Sequence, residues 1–275
     1  MENRVPQVST KHGFLEYSIT DTVSRWRRPK ETILFHHGVG IDMDIWIDWL
    51  PHLSNNFKCV RFDMRGCGRS SIPPDGQKWS MEEMMSDVLA VADAVNADKF
   101  HLIGESIGGT ISLYTALNAS NRITTVTALS TGHRGNHINQ VGSWRNTVEQ
   151  EGFSSWTKKM MEHRFYPGAV EDAVYQWFSE TQANSSPEVT LALGELLMAQ
   201  DLSQDLNQLE TPVLLIHPDS SPFLPVSMSA EIHSLLPNSQ LMVIPHAKHA
   251  IACSHANEGA KAFVHFIGNK VLNAN

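Results

Sequence analysis

The sequence predicts an α/β protein whose central, mostly parallel sheet carries helices on both faces and is interrupted by a helical insertion. Two observations lead there. Short apolar runs alternate with longer helix-like stretches, and the alternation lapses between residues 137 and 206 before it resumes. Short, β-branched or aromatic runs suit strands buried on both faces, and strand–helix alternation is the mark of parallel βαβ units.

The strand candidates are Thr32–His36, Phe57–Phe62, Phe100–Gly104, Thr124–Leu129, Pro212–Ile216 and Leu241–Ile244. Between them, helices are expected over Met81–Ala97 (with Ser80 as N-cap), Ile107–Leu117 and Asn257–Ile267. Residues 137–206 contain no convincing buried strand and read as helices carrying Trp144, Trp156, Phe165, Tyr166, Trp177 and Phe178. An ordinary helical stretch would satisfy that pattern. The aromatic content favours a lid closing over a site at the sheet's edge. The expected organisation is therefore a core of 1–136 and 207–275 with a helical lid over 137–206. No internal repeat is visible, which excludes solenoids and propellers.

Bulk properties narrow the function classes. The 275 residues can bury a full-sized core, and 41 % hydrophobic with 18 % charged residues is ordinary globular composition. Twenty-nine acidic residues against 21 basic ones give a net charge of −8, without the basic face that a nucleic-acid partner requires. Cys59, Cys67 and Cys253 lack metal-type spacing, and an odd, sparse set suits a reducing compartment. No apolar signal segment opens the chain and no run of about 18 apolar residues could span a bilayer. The expectation is a cytoplasmic protein with a small-molecule substrate, no cofactor, no metal and no membrane or nucleic-acid partner; a homodimer is allowed.

The chemistry centres on Gly104-Glu105-Ser106-Ile107-Gly108-Gly109, directly after a strand and opening a helix. Gly-x-Ser-x-Gly in that context presents a serine hydroxyl on a turn so tight that its flanks must be glycine. A bare match could be a small-residue turn; the strand–turn–helix setting favours a nucleophile. The tetrahedral intermediate of acyl transfer needs fixed donors. Ile107 N–H supplies one. His37-Gly38-Val39-Gly40, ending an earlier strand, supplies the other through Val39, whose flanking glycines let the backbone turn inward. The base must be one of 14 histidines. Chain order Ser, acid, His and a place after the last strand select His249, with His246 as competitor. For the acid, the loop after the Val213–His217 strand offers only Asp219; the alternative for an aspartate on such a turn is to bond its own backbone.

Assembled, these residues resemble the α/β-hydrolase superfamily along nearly the whole chain. The closest likeness is to 3-oxoadipate enol-lactonase-like enzymes and the related meta-cleavage-product hydrolases. The resemblance rests on His37–Gly40, the stretch Asp63-Met-Arg65-Gly66-Cys-Gly68-Arg-Ser70, the Gly104–Gly109 turn and His249 ahead of the closing helix. It implies an α/β-hydrolase fold with a mostly parallel sheet, a structural role for Asp63 and Arg65, and a triad acid in a Gly-x-x-Asp-x-x-x-Pro loop. Aligned on Pro225, this chain has Pro218 at the glycine and Ser221 at the acid, so Asp219 falls two residues early. Relatives with the acid after the preceding core strand offer no help, because Ser130-Thr-Gly-His133-Arg134-Gly lacks a carboxylate. Asp219 reaches His249 from a shifted loop, or a dyad works alone, or hydrolysis is lost.

The expected activity is hydrolysis of a small carboxylic ester, an enol-lactone-type lactone or a C–C bond in a diketone-like metabolite. Expected substrate contacts are His37, Gly38, Trp144 and one cation for a substrate carboxylate, from Arg134, Arg145 or Arg164. The rival is a non-hydrolytic member: a small-molecule receptor, or a cofactor-independent lyase or oxygenase using His249 as base.

Overall fold

The computed structural model describes residues 5–26, 30–74 and 76–273; Met1–Arg4, part of the start read for a signal segment, lie outside them. Eight strands form one sheet in the order β1-β2-β4-β3-β5-β6-β7-β8. They are β1 (Gln7–Thr10), β2 (Gly13–Thr20), β3 (Glu31–His36), β4 (Phe57–Phe62), β5 (Phe100–Glu105), β6 (Ile123–Leu129), β7 (Val213–Pro218) and β8 (Ser239–Ile244). From β4 to β8 every neighbouring pair is parallel, whereas β1–β2 and β2–β4 are antiparallel.

The sheet is buried on both faces because its strands alternate between two apolar layers. Leu34, Val60, Phe62 and Leu102 enter one layer; Ile33, Phe35, Cys59 and Ile103 enter the other. This period of two explains why the strands read as continuous apolar runs. The antiparallel β1 and β2 are absent from the sequence expectation. Strand β1 is polar and only half-covered, so it lacks that apolar signal.

The helices are α1 (Leu50–Leu53), α2 (Met81–Ala94), α3 (Ile107–Asn118), α4 (Trp144–Glu151), α5 (Phe153–Arg164), α6 (Asp172–Ala183), α7 (Pro187–Met198), α8 (Val226–Leu235), α9 (Ile251–Ser254) and α10 (Ala256–Asn273). Ser80 caps α2 by accepting the Glu83 N–H, as its sequence predicts. The helix ends at Ala94 and not Ala97, because Asn96 turns left-handed at φ 54° and Ala97 N–H folds back to Ala92 O.

Helices α4 to α7 all fall between β6 and β7. Their buried Trp144, Trp156, Leu193 and Leu197 join the same apolar layer as the sheet. The Asp63–Ser70 loop is a braced corner. Asp63 accepts Met43 N–H and Arg69 N–H at 2.8 and 2.9 Å, and Arg65 grips Asp87 with two bonds of 2.5 and 2.7 Å. Gly68 is required there: a Cβ on it would stand 2.3 Å from Asp63 Oδ2.

Strand order reverses between β3 and β5, since β4 lies beyond β3 on one side and β6 beyond β5 on the other. Ligands of open α/β sheets bind in the crevice outside the carboxyl ends of the strands at such a switch point. Here His36 of β3 lies beside Gly104 of β5. The loop after β3 and the turn after β5 therefore emerge side by side.

Candidate active site

Ser106 sits between β5 and α3 at φ 58° and ψ −125°, a conformation that costs a non-glycine residue strain. The surroundings over-determine it. A Cβ on Gly104 would stand 2.3 Å from Gly108 O, and one on Gly108 would stand 2.4 Å from His36 O. Only bare backbone lets strand, turn and helix approach this closely. Gly38 is similarly constrained, with the Ser106 Cβ 3.2 Å from where its own Cβ would be.

Ser106, Val39 and His249 line one mostly apolar cavity with Ser130, Gly132, Ile138, Val141, Trp144, Arg164, Leu197, Phe223 and Leu224. Its volume of about 20 Å³ has room for little more than one water molecule. Ile107 is the first residue of α3, so its N–H is among those left without an intrahelical acceptor, at the end of the helix that favours negative charge.

His249 is buried in the loop between β8 and α9. Ser130 Oγ donates to its carbonyl at 2.7 Å, and its ring meets Phe223 edge-on at 4.7 Å. Burial is the main cause holding the imidazole well below the ordinary histidine pKa, followed by Arg164 and the neighbouring His217 and His163. The ring is therefore neutral. His246 stands apart: exposed, at φ 56°, and stacked on Tyr166 with centroids 4.6 Å apart.

Asp219 is where the sequence expectation needs correcting. Its carboxylate is exposed and accepts backbone N–H groups of His246 at 2.7 Å and Ala247 at 3.1 Å, plus the Ser220 hydroxyl at 2.9 Å. Those bonds, the His246 amide first, lower its pKa. It pins the turn before His249 and does not touch the ring. The group at His249 Nδ1 is Ser221 Oγ, 3.1 Å away. The register on Pro225 had already put Ser221 at the acid position; the signal was present and read only as a missing carboxylate. Ser130 carries no sequence signal of its own, since the motif calls for a carboxylate in that loop and not a hydroxyl.

The remaining expected contacts divide. His37 is fully buried, donates from Nδ1 toward Gly38 O at 2.8 Å, and accepts Met64 N–H at Nε2, 2.9 Å away; it braces the loop and lines no part of the cavity. Arg134 pairs with Glu231 and Arg145 with Glu195, both outside the cavity. Trp144 lines it, packed edge-on against Trp156 and Phe223.

Arg164 is the cation that faces the site. It is buried at the end of α5, with Nη2 donating to Val39 O at 3.0 Å and Nε to Gln182 Oε1 at 3.4 Å. Burial lowers its pKa to about 10, with Glu105 opposing. Glu105, also fully buried, is pushed up to about 7 by desolvation while accepting Ala252 N–H at 2.8 Å. Among the described residues no three or more His, Cys, Asp or Glu are grouped to hold a metal, and no helix is long and apolar enough to cross a membrane.

Comparison with known proteins bears on the fold. A family described as the alpha/beta hydrolase fold matches residues 31–256. The chain is 26 % identical to a protein of Agrobacterium fabrum named "Putative carbamate hydrolase RutD", over 80 % of this chain and 86 % of that one. It is 23 % identical to the karrikin insensitive 2 receptor CA of Petunia hybrida, over 78 % and 83 %. The enol-lactonase structure from Burkholderia xenovorans superimposes with a TM-score of 0.86 at 21 % identity, covering 96 % of this chain and all of that one. With the matched region spanning the sheet from β3 to the start of α10, the chain belongs to the α/β-hydrolase fold family.

Proposed function

We propose that the chain is a serine hydrolase acting on a small carboxylic ester, an enol-lactone-type lactone or the C–C bond of a diketone-like metabolite. One observation carries the reading: a strained Ser106 and the buried imidazole of His249 line one small cavity at the sheet's switch point. For an ester or lactone, Ser106 Oγ attacks the carbonyl carbon and its proton passes to His249 Nε2. The oxyanion accepts the N–H groups of Val39 and Ile107. His249 then protonates the leaving oxygen, and water, deprotonated by the same ring, releases the acid. The names of the carbamate hydrolase and enol-lactonase relatives support this class.

Arg164 supports an anionic substrate, because it is the one candidate cation that lines the cavity. The small cavity requires residues 137–206 to act as a lid that admits the substrate. Three free, buried cysteines support action in the cytoplasm.

The test is labelling with a fluorophosphonate probe together with turnover of p-nitrophenyl acetate. Both are expected in the wild type and absent in Ser106→Ala; an unlabelled wild type would overturn the covalent-serine mechanism. A second reading, a non-hydrolytic receptor or a cofactor-independent lyase or oxygenase, is favoured by one observation: a hydroxyl stands where the triad acid is expected. Binding of a small ligand without turnover would decide for it.

A further inference from the structure

Ser221 Oγ makes three contacts, and their donor–acceptor balance fixes where the His249 proton lies. The oxygen accepts Phe223 N–H and Leu224 N–H, each at 3.3 Å, and lies 3.1 Å from His249 Nδ1. A hydroxyl offers two acceptor lone pairs and one proton. With both lone pairs turned to backbone N–H groups, the O–H is what remains for the ring. An O–H can bond Nδ1 only if that nitrogen carries no proton. A neutral imidazole bare at Nδ1 holds its proton on Nε2, the nitrogen left for the cavity.

We propose that Ser221 is a positioning residue that locks resting His249 in the Nε2–H tautomer, so that Ser106 faces a donor in place of a base. To accept the Ser106 proton, the ring must first move its own proton from Nε2 to Nδ1. Ser221 must then accept Nδ1–H, giving up a backbone N–H to free a lone pair. A carboxylate at 221 would escape this conflict. It has no proton, and its two oxygens can accept Phe223 N–H, Leu224 N–H and Nδ1–H together. The hydroxyl is thus a brake as well as a gap in the triad. The kinetic consequence rests on the serine-hydrolase reading; the tautomer does not.

The decisive measurement is imidazole ¹⁵N NMR of the intact protein at neutral pH, with the His249 signals assigned by their loss in His249→Ala. Wild type is expected to show an unprotonated Nδ1 and a protonated Nε2, and Ser221→Asp the reverse. A protonated Nδ1 in the wild type would overturn the proposal. A wrong-tautomer histidine costs a serine triad about ten-thousandfold. Ser221→Asp is therefore expected to raise p-nitrophenyl acetate turnover, by about a hundredfold to ten-thousandfold. Ser221→Ala, which removes the donor and so releases the lock, should raise turnover by less than Ser221→Asp does. A fall in both variants would mean that Ser221 serves as an accepting substitute for the acid, and would sink the brake. Should Nε2–H be seen while Ser106 stays unlabelled even in Ser221→Asp, the hydrolase reading fails and the tautomer assignment stands.

Discussion

The turn after β5 and the loop after β7 both wall the cavity that His249 lines, yet they are built in different ways. Around Ser106, backbone meets backbone: Gly104 against Gly108 and Gly108 against the end of β3, with no space for a single added carbon. Around Ser221 the contacts run through side chains, a hydroxyl to Nδ1 and a carboxylate to the His246–Ala247 amides. Interlocked backbone permits few residue types and therefore shows in sequence. Side-chain contacts in a loop can be exchanged one for another, so the acid position can lose its carboxylate while the loop keeps its shape.

The largest effect should come from the backbone-locked end. Ser106→Ala is expected to lower p-nitrophenyl acetate turnover by roughly a hundredfold: loss of a triad serine costs about 10⁶-fold elsewhere, and the braked histidine already accounts for about ten-thousandfold of it. Melting temperature should stay near that of the wild type. A residual rate within tenfold would break the comparison by removing Ser106 from the chemistry.

Gly108→Ala tests the interlock itself. The new Cβ would meet His36 O at 2.4 Å and His37 O at 2.6 Å, both backbone atoms that cannot swing away. Overpacking of this kind costs about 1–3 kcal/mol, or a fall of roughly 2–12 °C in Tm for a chain of this size. Differential scanning calorimetry would show it, and an unchanged Tm would mean that the Gly104–Gly109 turn yields more readily than its geometry implies.

At the other end, Asp219→Asn should barely touch catalysis. The side chain holds backbone amides and not the ring, so turnover should change by less than about fivefold, against about ten-thousandfold for loss of a true triad acid. A thousandfold loss would place Asp219 back in the machinery.

The same contrast explains what the sequence could and could not say. The parallel strands were legible because burial leaves mostly apolar runs, complete in Val213–Ile216 and weakest in the half-covered edge strand β8. Strand β1 escaped notice because Gln7–Thr10 is polar and half-covered. Ser106, His249, Val39 and Ile107 followed from motif and chain order. Ser221 did not, because the family motif carries a charge at that position and this chain has a hydroxyl. Arg164 was one of three candidate cations, and only burial separates it from Arg134 and Arg145, which spend their charge on surface carboxylates.

The smallest effect concerns pH, and its sign follows from His249. A base must be unprotonated, so kcat/KM rises with pH through the folded-state pKa of this ring. Burial, with Arg164 beside it, puts that pKa well below the ordinary value of 6.5. An unshifted histidine would lose about half its rate at pH 6.5 and about three-quarters at pH 6. This enzyme should lose little at either, its acid limb falling lower. Stability falls with pH in the same sense as activity, but begins to fall at higher pH. The unfolded chain binds protons on its histidines near pH 6.5, while folding keeps His36, His37, His133, His163, His217 and His249 below that value. Their contribution is complete above pH 6.5 and is lost as pH falls. Glu105 opposes it: its folded pKa of about 7 makes its own contribution fade as pH rises from about 4.5 to 7. Asp42, Asp63 and Asp87, whose folded pKa values burial also raises, oppose it in the same sense; six histidines against four carboxyls should make Tm drop from pH 7 to pH 5.5 while turnover at 25 °C holds. An Arg164→Met variant sharpens the test, since loss of that neighbouring charge should move the acid limb up toward 6.5; a limb that stays put would mean that burial alone depresses the ring.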